Sequence, residues 1–234
     1  MKSVLLGLLF LACQPDQEKR YTVVEIPATP QGTVNASYLA LGDSYTIGTA
    51  IGVDYSYASM LRDSLEKETS SLNINLEIIA KNGWTTGDLL KALESEKPTS
   101  DYNLVSLLIG VNNQYQGRSQ NEYRQQFTEL LQRAISYAGG DSSRVVVLSI
   151  PDWSATPAGA GRREAVGRDI DEFNAINRQI TQSYGVAYVD VTPVSRTALN
   201  DASLVASDNL HFSAAMHRLW LQLLFEKARK AIHH

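Results

Sequence analysis

Several absences narrow the field before any motif is read. The 234 residues hold a single cysteine, Cys13, so no disulfide can form within the chain and no thiol cluster exists to bind a metal. HExxH and His-x-His are both missing and only four histidines occur, so neither a metal nor a cofactor is expected. Phosphate loops fare no better: no Lys-Ser or Lys-Thr follows the glycines at 42 and 48, and Gly-x-Gly-x-x-Gly does not occur. Positive charge is also scarce. With 21 Lys and Arg against 25 Asp and Glu, the formal net charge is -4, which argues against a nucleic-acid partner and against a polybasic membrane patch. The apolar run Val4 to Ala12 is too short to span a bilayer.

What is present is a globular composition, 44% hydrophobic and 20% charged, at a length that fits one α/β domain. From Ser37 onward, short apolar runs alternate with segments of helical period. The strand candidates are SYLALG, NLEIIAK, LVSLLIG, RVVVLSI and VAYVDV, with helices predicted near 55–68, 86–95, 120–138, 163–183 and 213–231. That alternation predicts a parallel sheet with crossover helices, and the unbroken apolar character of LVSLLIG and VVVLSI predicts strands covered on both faces. PDWSATPAGAGR, residues 151–162, has two prolines and two glycines and reads as an irregular insertion.

Ligands of open parallel sheets sit beyond the carboxyl ends of the strands, so the loops there matter most. They carry Gly42, Asp43 and Ser44 after the first strand, Asn82, Gly83 and Trp84 after the second, and Gly110, Asn112 and Asn113 after the third. Asp208 and His211 precede the last helix in SDNLH. Each block taken singly reads as turn chemistry. Together, in this order, they resemble the GDSL or SGNH hydrolases, and the resemblance runs from Ser37 to the last helix. It implies a flavodoxin-like three-layer α/β/α sandwich whose five-stranded parallel sheet has the order 2-1-3-4-5. Tyr45 stands where that family has the leucine of its name, and Asn113 where aspartate commonly follows the motif asparagine.

The chemistry can be argued beside the resemblance. A serine hydroxyl needs a base, and imidazole suits the task near neutral pH. His233 and His234 end the chain and His217 falls inside the last predicted helix, as a surface or partly buried contact, which leaves His211 as the base. Asp208, three residues earlier, would orient it, completing the triad Ser44, His211 and Asp208. The oxyanion would be met by the N–H groups of Ser44 and Gly83 and the side-chain amide of Asn112. Asp43 reads as a residue that fixes the turn, and Arg162, Arg163 and Arg168 as a solvated helix face. Trp84, Tyr115 and Trp153 follow strands and are candidates for an apolar cleft, with core packing as the alternative.

The start of the chain is similar to a bacterial lipoprotein signal, with Cys13 as the lipidated residue and Phe10 where leucine is usual; an ordinary secretory signal with a chance cysteine is the alternative. The expected organisation is a signal peptide over 1–13, a tether over 14–33 and a hydrolase domain over 34–234. The expected location is the cell envelope, with Gln14 after the cysteine pointing to the outer membrane. The function expected is an exported serine esterase acting on lipid, saccharide or small acyl esters. An acyltransferase with the same triad and a noncatalytic surface ligand-binding lipoprotein are the alternatives.

Overall fold

A computed structural model describes residues 32–99 and 101–233. Cys13 and the segments read as signal and tether, up to residue 31, lie outside the described residues. The sheet is made of β1 (Val34–Gly42), β2 (Leu72–Ala80), β3 (Leu104–Leu108), β4 (Val145–Leu148) and β5 (Ala187–Val189), all parallel, in the spatial order β2-β1-β3-β4-β5. The expected order 2-1-3-4-5 is the observed one. β3 and β4 are buried at every residue, as their unbroken apolar runs require, whereas the edge strand β2 begins with buried Leu72 and Ile74 alternating with exposed Asn73 and Asn75.

Among the described residues, eight α-helices connect and cover the strands: α1 (Ser44–Ile47), α2 (Tyr57–Glu68), α3 (Thr86–Glu96), α4 (Val111–Tyr115), α5 (Gln120–Tyr137), α6 (Arg163–Ser183), α7 (Thr192–Ser195) and α8 (Ala214–Ile232). α2 packs with α8 on one face of the sheet, and α5 packs between α3 and α6 on the other. Four of the long helices start on a side chain that accepts a backbone N–H three residues ahead. Ser56, Thr85, Ser119 and Ser213 each play this part, and each cap contributes about 1 kcal/mol. The 151–162 insertion forms two short 3-10 turns, Trp153–Ala155 and Pro157–Gly159.

One expectation fails inside α8. His217 is buried, its Nδ1 accepting from Tyr57 N at 3.1 Å and its ring lying between Tyr57 and Trp220. It belongs to the apolar stripe Met216, Trp220, Leu224 and Ala228, one turn before Trp220, and burial pushes its pKa down to about 3. The ring is therefore a neutral structural acceptor.

Two features of the sheet position the site. Gly42 is opposite Ala80 of β2 and Leu108 of β3, so the three strands end level and their following loops begin side by side. Beneath them, buried hydroxyls tie α1 to the core: Thr46 Oγ1 lies 3.3 Å from Tyr57 OH, which lies 3.4 Å from Ser106 Oγ, itself 2.8 Å from Tyr38 OH. Among leucines such as Leu39, Leu41 and Leu104, each worth roughly 1.5–3 kcal/mol by burial, these hydroxyls add direction to packing.

Candidate active site

Ser44 is the first residue of α1, just past the end of β1, so its N–H lacks a partner within the helix. The turn that delivers it is tight. A Cβ on Gly42 would fall 2.1 Å from Thr46 Oγ1 and 2.4 Å from Leu108 O, so only glycine lets the chain leave β1 here. Asp43 caps α1, its Oδ1 accepting from Tyr45 N at 3.1 Å, in the turn-fixing part expected of it. It is 1% exposed and its Oδ2 has no hydrogen-bond partner. Burial, offset only in part by the hydrogen bond from Tyr45 N and other nearby backbone N–H groups, pushes this carboxyl up to about 7.

The loops after β2 and β3 are clamped together by two adjacent asparagines. Asn112 Nδ2 donates to Trp84 O at 2.9 Å. Asn113 is fully buried, accepts from Thr86 N at 3.0 Å through Oδ1 and donates to Thr86 Oγ1 at 2.7 Å through Nδ2. One hydrogen of the Asn112 amide is thus used to aim the group, and the other remains for a ligand. Gly83, at φ +83°, takes a backbone conformation that a side chain would strain; a Cβ there would meet nothing within 4 Å, so the requirement is conformational.

Asp208 and His211 sit in a small hairpin closed by an antiparallel bridge between Val205 and Phe212. Ala206 N donates to His211 O at 2.8 Å, and Asn209 turns the chain at φ +62°. Both oxygens of Asp208 are engaged: Oδ1 accepts from Leu210 N at 3.0 Å and His211 N at 2.9 Å, and Oδ2 lies 2.5 Å from His211 Nδ1. Burial works against ionisation here. The hydrogen bonds from the His211 ring and from the two backbone N–H groups outweigh it and hold Asp208 below the usual carboxylate range. A carboxylate at Nδ1 keeps the proton on that nitrogen and leaves Nε2 as the free base.

Ser44, Asn112 and His211 line a single cavity of about 210 Å³. Its other walls are Tyr45, Asn82, Val111, Tyr115, Trp153 and Leu210. Tyr115 and Trp153 therefore stand where the cleft was expected, in edge contact at 5.1 Å between ring centres. Trp84 does not: its side chain packs against the core, and its part in the site is the carbonyl that aims Asn112. Asn82 lines the cavity beside Gly83, which does not. The arginines differ from a plain solvated face. Arg168 pairs with Glu164 in solvent, but Arg163 Nε donates to Ser154 O at 3.2 Å and the Arg162 guanidinium lies over the Trp153 ring.

Sequence reasoning passed over Tyr45 as a residue of the site. Buried, it presents its ring edge-on to His211 at 5.9 Å and also packs on Phe212 and Trp220, so it supports the imidazole from beneath. Its place directly after Ser44 was the available signal. No cluster of metal-ligating side chains occurs among the described residues.

A serine at the N-terminus of a helix, an imidazole held by a carboxylate, and a side-chain amide thus meet on one cavity at the end of a flavodoxin-like sheet. Residues 40–219 match the GDSL-like lipase/acylhydrolase family, and the chain belongs to it. The protein is accordingly a carboxylic ester hydrolase by family. Solved structures that it resembles include a lipase/acylhydrolase from Enterococcus faecalis, at 18% identity over 83% of this chain and 95% of that one, with a TM-score of 0.62. An acetylxylan esterase from Geobacillus stearothermophilus is also 18% identical, over 84% and 95%, with a TM-score of 0.66. The psychrotrophic esterase EstA from Pseudoalteromonas is 16% identical, over 85% and 99%, with a TM-score of 0.63. At these identities the likeness is one of fold. No curated protein sequence matches the chain significantly.

Proposed function

We propose that the protein is an exported serine esterase that cleaves carboxylic acyl esters through an acyl-enzyme. The observation that carries this reading is the meeting of Ser44, His211 and Asn112 on one cavity, with His211 held at Nδ1 by Asp208 at 2.5 Å. His211 Nε2 takes the Ser44 proton as the hydroxyl attacks the ester carbonyl, and the carbonyl oxygen gains the negative charge. Ser44 N–H and the Asn112 amide, both on the cavity, receive that oxyanion, and Gly83, beside it, does not reach it as the loop stands. His211 then gives its proton to the leaving alkoxide, and the acyl-serine is cleared by water along the reverse proton route. Asp208 holds the imidazolium throughout.

Hydrolysis of aryl esters by the purified protein, beside Ser44→Ala and His211→Ala, tests the reading. Activity in the parent and its loss in both variants is the expected result; full activity in Ser44→Ala sinks it. An added acceptor alcohol that diverts the acyl group from water would make the protein a transferase with the same triad. Export and anchoring rest on the apolar run before Cys13, and Cys13→Ser is expected to abolish incorporation of a fatty-acid analogue in a bacterial host. Undiminished incorporation would remove the anchor from the proposal.

A further inference from the structure

Trp153 stands in a surface loop, where side chains are ordinarily mobile, yet it is only 2% exposed. Its indole Nε1 donates to Gln114 Oε1 at 2.9 Å, and Gln114 Nε2 donates in turn to Asp169 Oδ2 at 3.1 Å. Tyr115 meets the indole edge-on, and the Arg162 guanidinium lies 5.1 Å above its ring centre. The main chain around it is tied as well. Asp152 accepts from Ser154 N through Oδ1 and from Arg196 Nε through Oδ2 at 2.8 Å, while Ala158 N donates to Asn209 O in the His211 hairpin. Gln114 belongs to α4, two residues after Asn112, so the helix that aims the candidate oxyanion donor also grips this wall.

The wall bounds a small space. A cavity of about 210 Å³ is below the roughly 300–1,000 Å³ usual for ligand sites. A space of this size suits an ester group with a short acyl chain. A long acyl chain running into this wall would displace Trp153 and break its indole hydrogen bond, leaving a buried N–H and the Gln114 carbonyl unpaired.

Resting on the esterase reading, we propose that Gln114 is a positioning residue which, through Trp153, restricts the site to short acyl groups. Val111, Tyr115 and Trp153 form the apolar seat of the acyl group, and the alcohol part leaves over the open side.

The test compares kcat and KM for p-nitrophenyl acetate, butyrate, hexanoate and octanoate in the wild type, Trp153→Ala, Gln114→Leu and Asp169→Ala. The wild type is expected to lose about tenfold or more in kcat/KM from butyrate to octanoate. Trp153→Ala raises the octanoate-to-acetate ratio about tenfold and Gln114→Leu about threefold, with the change falling on KM for octanoate. A residue needed only for folding would scale all four esters together. A flat wild-type profile, or a Gln114→Leu ratio equal to the parent's, overturns the proposal. Should Gln114→Leu fail to fold, Asp169→Ala decides, because Asp169 is exposed on α6 and alanine removes the acceptor of the Gln114 amide: a raised ratio supports the relay and an unchanged one refutes it. A wild type inactive on all four esters defeats the esterase reading itself, an outcome distinct from an active enzyme with no preference for length.

Discussion

Replacing Asp43 with asparagine isolates what it costs the fold to hold a carboxyl beside Ser44. The folded pKa lies near 7 against an ordinary value of 3.8, because the group is buried with one oxygen unpartnered. Below pH 3.8 both the folded and the unfolded chain hold the proton, and the folded state is at no disadvantage. Between 3.8 and about 7 the unfolded chain has released its proton and the folded one has not, so this contribution to stability falls as pH rises and then levels off. At about 1.4 kcal/mol for each pH unit, the full window is worth about 4 kcal/mol and the part above pH 5 roughly 2–3 kcal/mol. Asparagine keeps the oxygen that accepts from Tyr45 N. Its amide N–H takes the orphaned position, at a pH-independent cost of about 1–3 kcal/mol. Urea denaturation followed by circular dichroism at pH 5 and pH 8 is the assay. Asp43→Asn should gain roughly 2–3 kcal/mol on the parent between these two values, with His217 common to both proteins and cancelling. A difference between the two proteins that does not change with pH would refute a buried, protonated Asp43.

Ser44→Ala should lower kcat by about a thousandfold or more while leaving the melting temperature near the parent's, and a reactive phosphonate should label only the parent, as read by mass spectrometry. The adjacent asparagines should separate. Asn112→Ala lowers kcat about a hundredfold or more with the fold intact, whereas Asn113→Ala strands the Thr86 groups and costs about 1–3 kcal/mol in denaturation experiments. Asp208→Asn should lower kcat by about a thousandfold; because its carboxyl is held low, its stabilising part is present at neutral pH and lost as acid protonates it, so the variant should lose less on acidification. His217, lowered from 6.5 to about 3, stabilises the fold fully above pH 6.5 and less at each step below, so His217→Gln should flatten acid unfolding measured between pH 6.5 and 4.

The sheet was legible in the sequence because its central strands are unbroken apolar runs, a pattern that a parallel sheet covered on both faces imposes. The Asp208 and His211 pair was legible for a local reason: three residues of separation let one carboxylate cap the turn and reach the ring. Side-chain direction in the loops was not. Trp84 and Trp153 follow strands alike, but one ring packs on the core and the other faces the cavity, a choice made by α4 and α6 rather than by neighbours in sequence. Gln114 and Asn113 carry no pattern at all, since an amide looks the same in sequence whether it meets solvent or bridges two elements. His217 was within reach, for its spacing to Trp220 puts it on the apolar stripe of α8.

The bonds from Asn112 to Trp84 and from Asn113 to Thr86 join two loops into one part. A residue inserted in either loop would shift both, so length variation among descendants of this chain should be tolerated poorly there. The 151–162 insertion faces the same cavity and is fastened at three points, Asp152 to Arg196, Trp153 to Gln114 of α4, and Ala158 to Asn209 of the His211 hairpin. A change of wall there is therefore felt by both the helix of Asn112 and the hairpin of His211, so the segment that bounds the cavity and the groups that act in it have to change together.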